Sequence, residues 1–129
     1  ETHLRDAYEG IVERDLDRVV LDLPEPWRVV PHATEALRPG GILVAYTPSI
    51  TQAMHTREAM ANKMWNGVRT LEVLHRGWYI EGQAVRPDHR MVAHTAFLTV
   101  GRFLGRPADA PLPTLDGVEA SADEAPTEH

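Results

Sequence analysis

Apolar positions along this chain change their period several times. In residues 17–23, DRVVLDL, a short β-branched run stands without polar alternation, the pattern of a strand buried on both faces of a parallel sheet. From Trp27 the spacing becomes helical through Val30, Thr34 and Leu37, and Pro39, Gly40 and Gly41 of RPGG stop that helix. Pro31 fits it only in the first turn, where a missing N–H costs nothing. A second buried-type strand follows at residues 42–49, ILVAYTPS. Ser49 with Gln52 three positions later forms a capping box, which predicts a helix from there to about Trp65, ended by Asn66-Gly67. Its Met-rich faces, Ala53, Met60 and Met64 beside Ile50, Met54, Ala61 and Trp65, read as core packing. Beyond Val68 lie two longer strand candidates, 70–76 and 91–103, separated by EGQAVRPDHR. A connection this short, with no helix, predicts that they pair antiparallel as a hairpin. The sum is a βαβα unit followed by a β-hairpin, one half of an open α/β sheet.

Composition adds to this picture at three points. The formal charge of −6 is uneven: six acids and no Lys or Arg follow Arg106, which leaves 13 acids against 13 bases in residues 1–106. Residues 107–129, rich in Pro, Ala and acids, are expected to form a disordered acidic tail, because they have too little apolar surface to offset the entropy of ordering. Within residues 69–106, Arg69, Arg76, Arg86, Arg90, Arg102 and Arg106 outnumber Glu72, Glu81 and Asp88, so a polyanion could find a positive face there. No apolar run reaches the roughly 20 residues of a membrane span. No leader pattern opens the chain, and the absence of cysteine fits a cytoplasmic protein.

The chemistry concentrates where strands end. Asp22 closes the first strand, and a carboxylate there points into the crevice in which open α/β sheets bind ligands. The alternative is a strand-end aspartate that caps the helix beginning near Trp27. Pro24 and Pro26 follow, with fixed φ and no N–H, so the chain leaves the strand at a set angle. Trp27 could wall a planar ligand or simply join the core, and Tyr46 at the end of the next strand faces the same two readings. His89 and His94 do not suggest a metal: their odd spacing puts them on opposite faces of a strand, and no Cys or acidic cluster completes a set. No G-x-S-x-G occurs. No G-x-G occurs either, so the Gly-rich turn of a doubly wound nucleotide-binding fold is not in this sequence.

DLPEPW, then a helix, RPGG, a strand, YTPSITQ, and later RPDHRMVAHTAFL resemble, in order and spacing, the C-terminal half of the S-adenosylmethionine-dependent tRNA (adenine-58-N1)-methyltransferases. The resemblance covers residues 1–104 and implies the C-terminal half of a Rossmann-like methyltransferase sheet. It implies a partial catalytic domain over 1–106, S-adenosylmethionine as methyl donor, no metal, tRNA as partner and a homo-oligomer, a tetramer in the family. THLRDAYEGI resembles the segment where an acid, here Asp6, lies near the cofactor adenine; without the family Asp6 reads as a helix-capping or turn aspartate. By the same resemblance Asp22 is catalytic and borders the cofactor. Pro24, Trp27 and Tyr46 would line the target-base pocket, and Arg86, Arg90 and His94 would contact tRNA or close that pocket. Two rival readings are a non-catalytic tRNA-binding or assembly subunit and a methyltransferase acting on a small molecule or protein.

Overall fold

The computed structural model describes residues 1–91 and 93–108. Val92, within the strand predicted over 91–103, and residues 109–129, nearly all of the predicted tail, lie outside the described residues. The chain runs β1 (Leu16–Asp22), a 3-10 turn (Pro26–Arg28), α1 (Val30–Ala36), β2 (Leu37–Thr47), α2 (Ile50–Ala59), β3 (Trp65–Glu72), β4 (Trp78–Glu81), β5 (Ala84–Pro87) and β6 (Phe97–Phe103). Four strands form one sheet in the order β1-β2-β6-β3, and β4 and β5 form a separate two-stranded ribbon. β1 and β2 are parallel, joined by the crossover that carries α1, while β6 runs antiparallel to both β2 and β3.

The core lies on one face of this sheet. Val19, Leu21, Leu43, Ala45 and Phe103 point toward Val29, Val30 and Ala33 around α1 and toward Met60 at the end of α2. Gly101 belongs to this face, where a Cβ would come within 2.3 Å of Met60 Cε and 3.2 Å of Val68 Cγ2. Thr70 and Thr99, opposite each other on β3 and β6, join their hydroxyls at 3.0 Å on the same side.

Among the described residues no second layer covers the other face, contrary to the expectation of strands buried on both sides. Val20, Val44, Val100 and Arg69 form one cross-strand row on it, and Asp22, Tyr46, Leu98 and Leu71 form the next. Val20 is 70% exposed. The physical reason is that α1 and α2 pack on the same side of the sheet and against each other, so these residues include no layer for the opposite side.

Several predicted boundaries move. Pro31 does sit in the first turn of α1, and the Ser49–Gln52 capping box forms. RPGG, however, is not a simple terminator before a strand at Ile42. Leu37 already pairs with Leu16, and pairing resumes at Arg18–Ile42, so 38–41 make an excursion within β2. Gly40 has φ 88° there, a backbone region that suits glycine. The second helix stops at Ala59 rather than near Trp65. Asn62 Oδ1 accepts the Met64 N–H and the Asn62 carbonyl accepts that of Trp65, which turns the chain into β3. Asn66-Gly67 then forms a bulge, with Gly67 at φ 60°, where the β3–β6 register shifts. The predicted hairpin is an antiparallel pair, but its connection holds the β4–β5 ribbon, and β6 inserts between β2 and β3.

Leu43, fully buried between the sheet and the helices, measures how much this one-sided core contributes. Leu43→Ala is expected to lower stability by about 2–5 kcal/mol, read from urea unfolding of wild type and variant. A change below 1 kcal/mol would mean that the helix layer is not packed as described.

Candidate active-site rim

The parallel register sets the rim. Asp22, last residue of β1, lies directly opposite Tyr46 of β2, and Tyr46 in turn opposite Leu98 of β6. Directly paired residues share a face, so all three side chains rise on the uncovered side of the sheet. Both parallel strands present their carboxyl ends here, the edge at which open α/β sheets bind ligands.

Asp22 is exposed, and its carboxylate makes no hydrogen bond or ion pair with any described residue. The capping alternative therefore falls: Glu25 stands at the N-cap of the 3-10 turn and Val29 at that of α1, neither start with a side-chain cap bond. A strand-end carboxylate without an internal partner is free to accept hydrogen bonds from something outside the chain.

Beyond Asp22 the chain forms a braced lip. Pro26 is buried at the head of the 3-10 turn, and Pro24 is exposed. The Glu25 N–H donates to Tyr8 Oη at 3.1 Å, and the Tyr8 carbonyl lies 3.0 Å from Nε2 of buried His32. Arg28 sits 4.6 Å over the Tyr8 ring and donates to Glu25 at 2.7 Å. The Glu25 hydrogen bond also raises the already high pKa of Arg28. From the other side, Gln52 Nε2 donates to the Pro24 carbonyl at 2.8 Å. Trp27 is half-buried with its ring 5.1 Å from that of His55 on α2, so part of its surface is committed to packing.

Next to this lip, Tyr46 lines an open pocket of about 560 Å³ with Pro48, Val73, His94, Thr95, Ala96 and Leu98. Tyr46 is 44% exposed, so part of its surface is available to a ligand. The structure thus brings Asp22, Tyr46 and His94 to one end of the sheet. Arg86 and Arg90 do not line this pocket. Arg86 lies 4.6 Å over Tyr79 in the β4–β5 ribbon, whose Trp78, Ile80 and Val85 are also exposed. Asp6 accepts the Tyr8 N–H at 2.8 Å, which fits the turn half of its alternative reading and leaves its place near a cofactor adenine open. That bond occupies one carboxylate oxygen. Among the described residues no group of His, Asp or Glu could hold a metal ion.

Sequence reasoning missed three contributors. Tyr8 braces the lip from 17 positions before Glu25, and His32 holds Tyr8 from 24 positions away, pairings that no local pattern reveals. Gln52 was legible only as a cap, because its bond to Pro24 spans 28 positions.

Comparison with known proteins agrees with this geometry. Residues 3–88 match the family model described as tRNA methyltransferase complex GCD14 subunit. The tRNA (adenine(57)-N(1)/adenine(58)-N(1))-methyltransferase TrmI of Methanocaldococcus jannaschii is 40% identical over 105 residues, covering 81% of this chain and 37% of that protein. A SAM-dependent O-methyltransferase from Thermotoga maritima superposes with a TM-score of 0.75 at 32% identity, over 80% of this chain and 39% of that one. The tRNA (m1A58) methyltransferase TrmI of Aquifex aeolicus does so with a TM-score of 0.70 at 26% identity, over 78% and 41%. The chain thus spans about two-fifths of each of these relatives. By the match over residues 3–88, the chain belongs to the family described as tRNA methyltransferase complex GCD14 subunit.

Proposed function

We propose that this chain forms the target-base half of an S-adenosylmethionine-dependent tRNA (adenine-N1)-methyltransferase acting at position 58. The observation that carries the reading is the Asp22 carboxylate, without a partner among the described residues, beside Tyr46 at the carboxyl end of the parallel strands. Adenine N1 is a weak nucleophile, and methylation there leaves a cation whose acidity is shared with the 6-amino group. A carboxylate that accepts a hydrogen bond from that amino group orients the base and stabilises the positive charge as it develops, or takes its proton. The base must first leave its stack, and Tyr46 and Trp27, with the stiff Pro24 segment, offer surfaces against which it can be held.

The donor supplies the methyl group, and its binding is not assigned to these residues. The Gly-rich turn is not in the sequence, and Asp6, the residue that resemblance puts near the donor's adenine, already spends an oxygen on the Tyr8 amide. A cofactor-binding half that pairs along the free edge of β1 would also cover the apolar row of Val20, Val44 and Val100. Asp22 would then border both halves. Arg86, Arg90 and His94 are assigned to tRNA, the first two through phosphates beside the β4–β5 ribbon and His94 through the pocket it shares with Tyr46. The working form is a homo-oligomer, a tetramer as the resemblance implies, in the cytoplasm. No helix among the described residues is long and apolar enough to cross a membrane.

Three measurements test this reading. In titration calorimetry the 129-residue chain alone should give no micromolar binding of S-adenosylmethionine, and such binding would refute the division of labour between halves. In enzyme that contains the cofactor-binding half, Asp22→Ala should cut turnover by about two orders of magnitude or more, the scale of a positioned acid–base group or charge stabiliser. Full turnover at saturating tRNA would end its catalytic role. Finally, tRNA affinity should fall steeply with salt, and Arg86→Ala or Arg90→Ala should each flatten that slope. A salt-independent affinity would favour a methyltransferase for small molecules or proteins.

A further inference from the structure

We infer that Gln52 is a positioning residue that fixes the distance between the two walls of the target-base pocket, a role that depends on the function proposed above. Asp22 and Tyr46 are register partners, but the segments leaving them diverge, one into the lip and the other into α2. Gln52 joins the two with its one amide. Its Oε1 accepts the Ser49 N–H at 3.1 Å, three residues beyond Tyr46, and its Nε2 donates to the Pro24 carbonyl at 2.8 Å, two residues beyond Asp22.

Helix capping needs only the first of these bonds, and a glutamate at this third helical position would serve it equally. The second bond requires the amide nitrogen. Pro24 has no N–H, and its carbonyl anchors a segment whose φ is already fixed, so a single hydrogen bond there constrains the whole lip. Trp27 against His55 ties the same two segments a turn further on, but through a tilted ring contact that tolerates sliding. Gln52 supplies the directional tie, and glutamine satisfies the cap and the lip together where glutamate satisfies only the cap.

The test uses enzyme with the cofactor-binding half present. Gln52→Glu keeps the cap and the volume, removes the donor and sets a carboxylate against the Pro24 carbonyl. The expected result is a fall in kcat of about tenfold, the effect of one lost hydrogen bond plus an unpaired acceptor, with an unchanged KM for tRNA. In an Asp22→Ala background the same substitution should have no further effect on kcat, because the position it secures is then vacant of chemistry. Ser49→Ala is the control for the helix: it removes the cap hydroxyl that accepts the Thr51 N–H, and should lower the melting temperature while leaving kcat alone. A Gln52→Glu enzyme as fast as wild type, an additive loss in the Asp22→Ala background, or an equal kcat loss in Ser49→Ala would each overturn the positioning role. A wild-type enzyme that methylates no tRNA would overturn the proposed function itself, an outcome distinct from these three.

Discussion

The pairing of β1 with β2 in parallel is the constraint from which the rest of this structure follows. Parallel neighbours end at the same edge of a sheet, so Asp22 and Tyr46 finish side by side and the chain must leave both strands at one place. An antiparallel pair would have put one of them at the opposite end, about seven residues of strand away. The crossover that parallel pairing demands is α1, and its apolar residues Val30, Ala33 and Ala36 cover the face opposite the rim. The same connection therefore produces the hydrophobic core and exposes the polar edge.

That arrangement leaves an imbalance in how the sheet is buried. On the helix side Leu43, Ala45 and Thr99 are fully enclosed, whereas directly adjacent positions on the other side, Val20 above all, remain in contact with solvent. A β-branched residue gains little from exposure, and a row of them across β1, β2 and β6 is the composition of a sheet that expects a second layer. The free edge of β1 adjoins that row, so one body of protein that completes the sheet could satisfy the unpaired backbone and the apolar face together. The chain spans about two-fifths of the relatives named above.

How legible these features were depended on how local their causes are. The Ser49–Gln52 box and the first-turn Pro31 could be read directly, because each is decided within four residues. The end of α2 could not. Met64 and Trp65 continue a plausible helical stripe, but long-range pairing claims Trp65 opposite Phe103 and lets the Met64 carbonyl accept the Leu104 N–H. The insertion of β6 between β2 and β3 is equally invisible to periodicity, which shows that a segment is a strand without naming its neighbours. Asp22 was legible as a residue of interest from its place at a strand end. Only the structure removed its rival role, by placing Glu25 and Val29 at the helix starts without a capping hydrogen bond from Asp22.

The prolines after Asp22 set how the chain leaves the rim. A strand that ended in residues with free N–H groups could extend its ladder or fray, and the carboxylate would drift with it. Pro24 and Pro26 remove two donors, fix two φ angles and leave the segment to be held through what remains. What remains is used: the Pro24 carbonyl accepts from Gln52, the Glu25 N–H donates to Tyr8, and buried Pro26 heads the 3-10 turn. Each brace comes from a different part of the chain. The lip is thus fixed on two sides through its backbone, while the Asp22 carboxylate makes no hydrogen bond with any described residue.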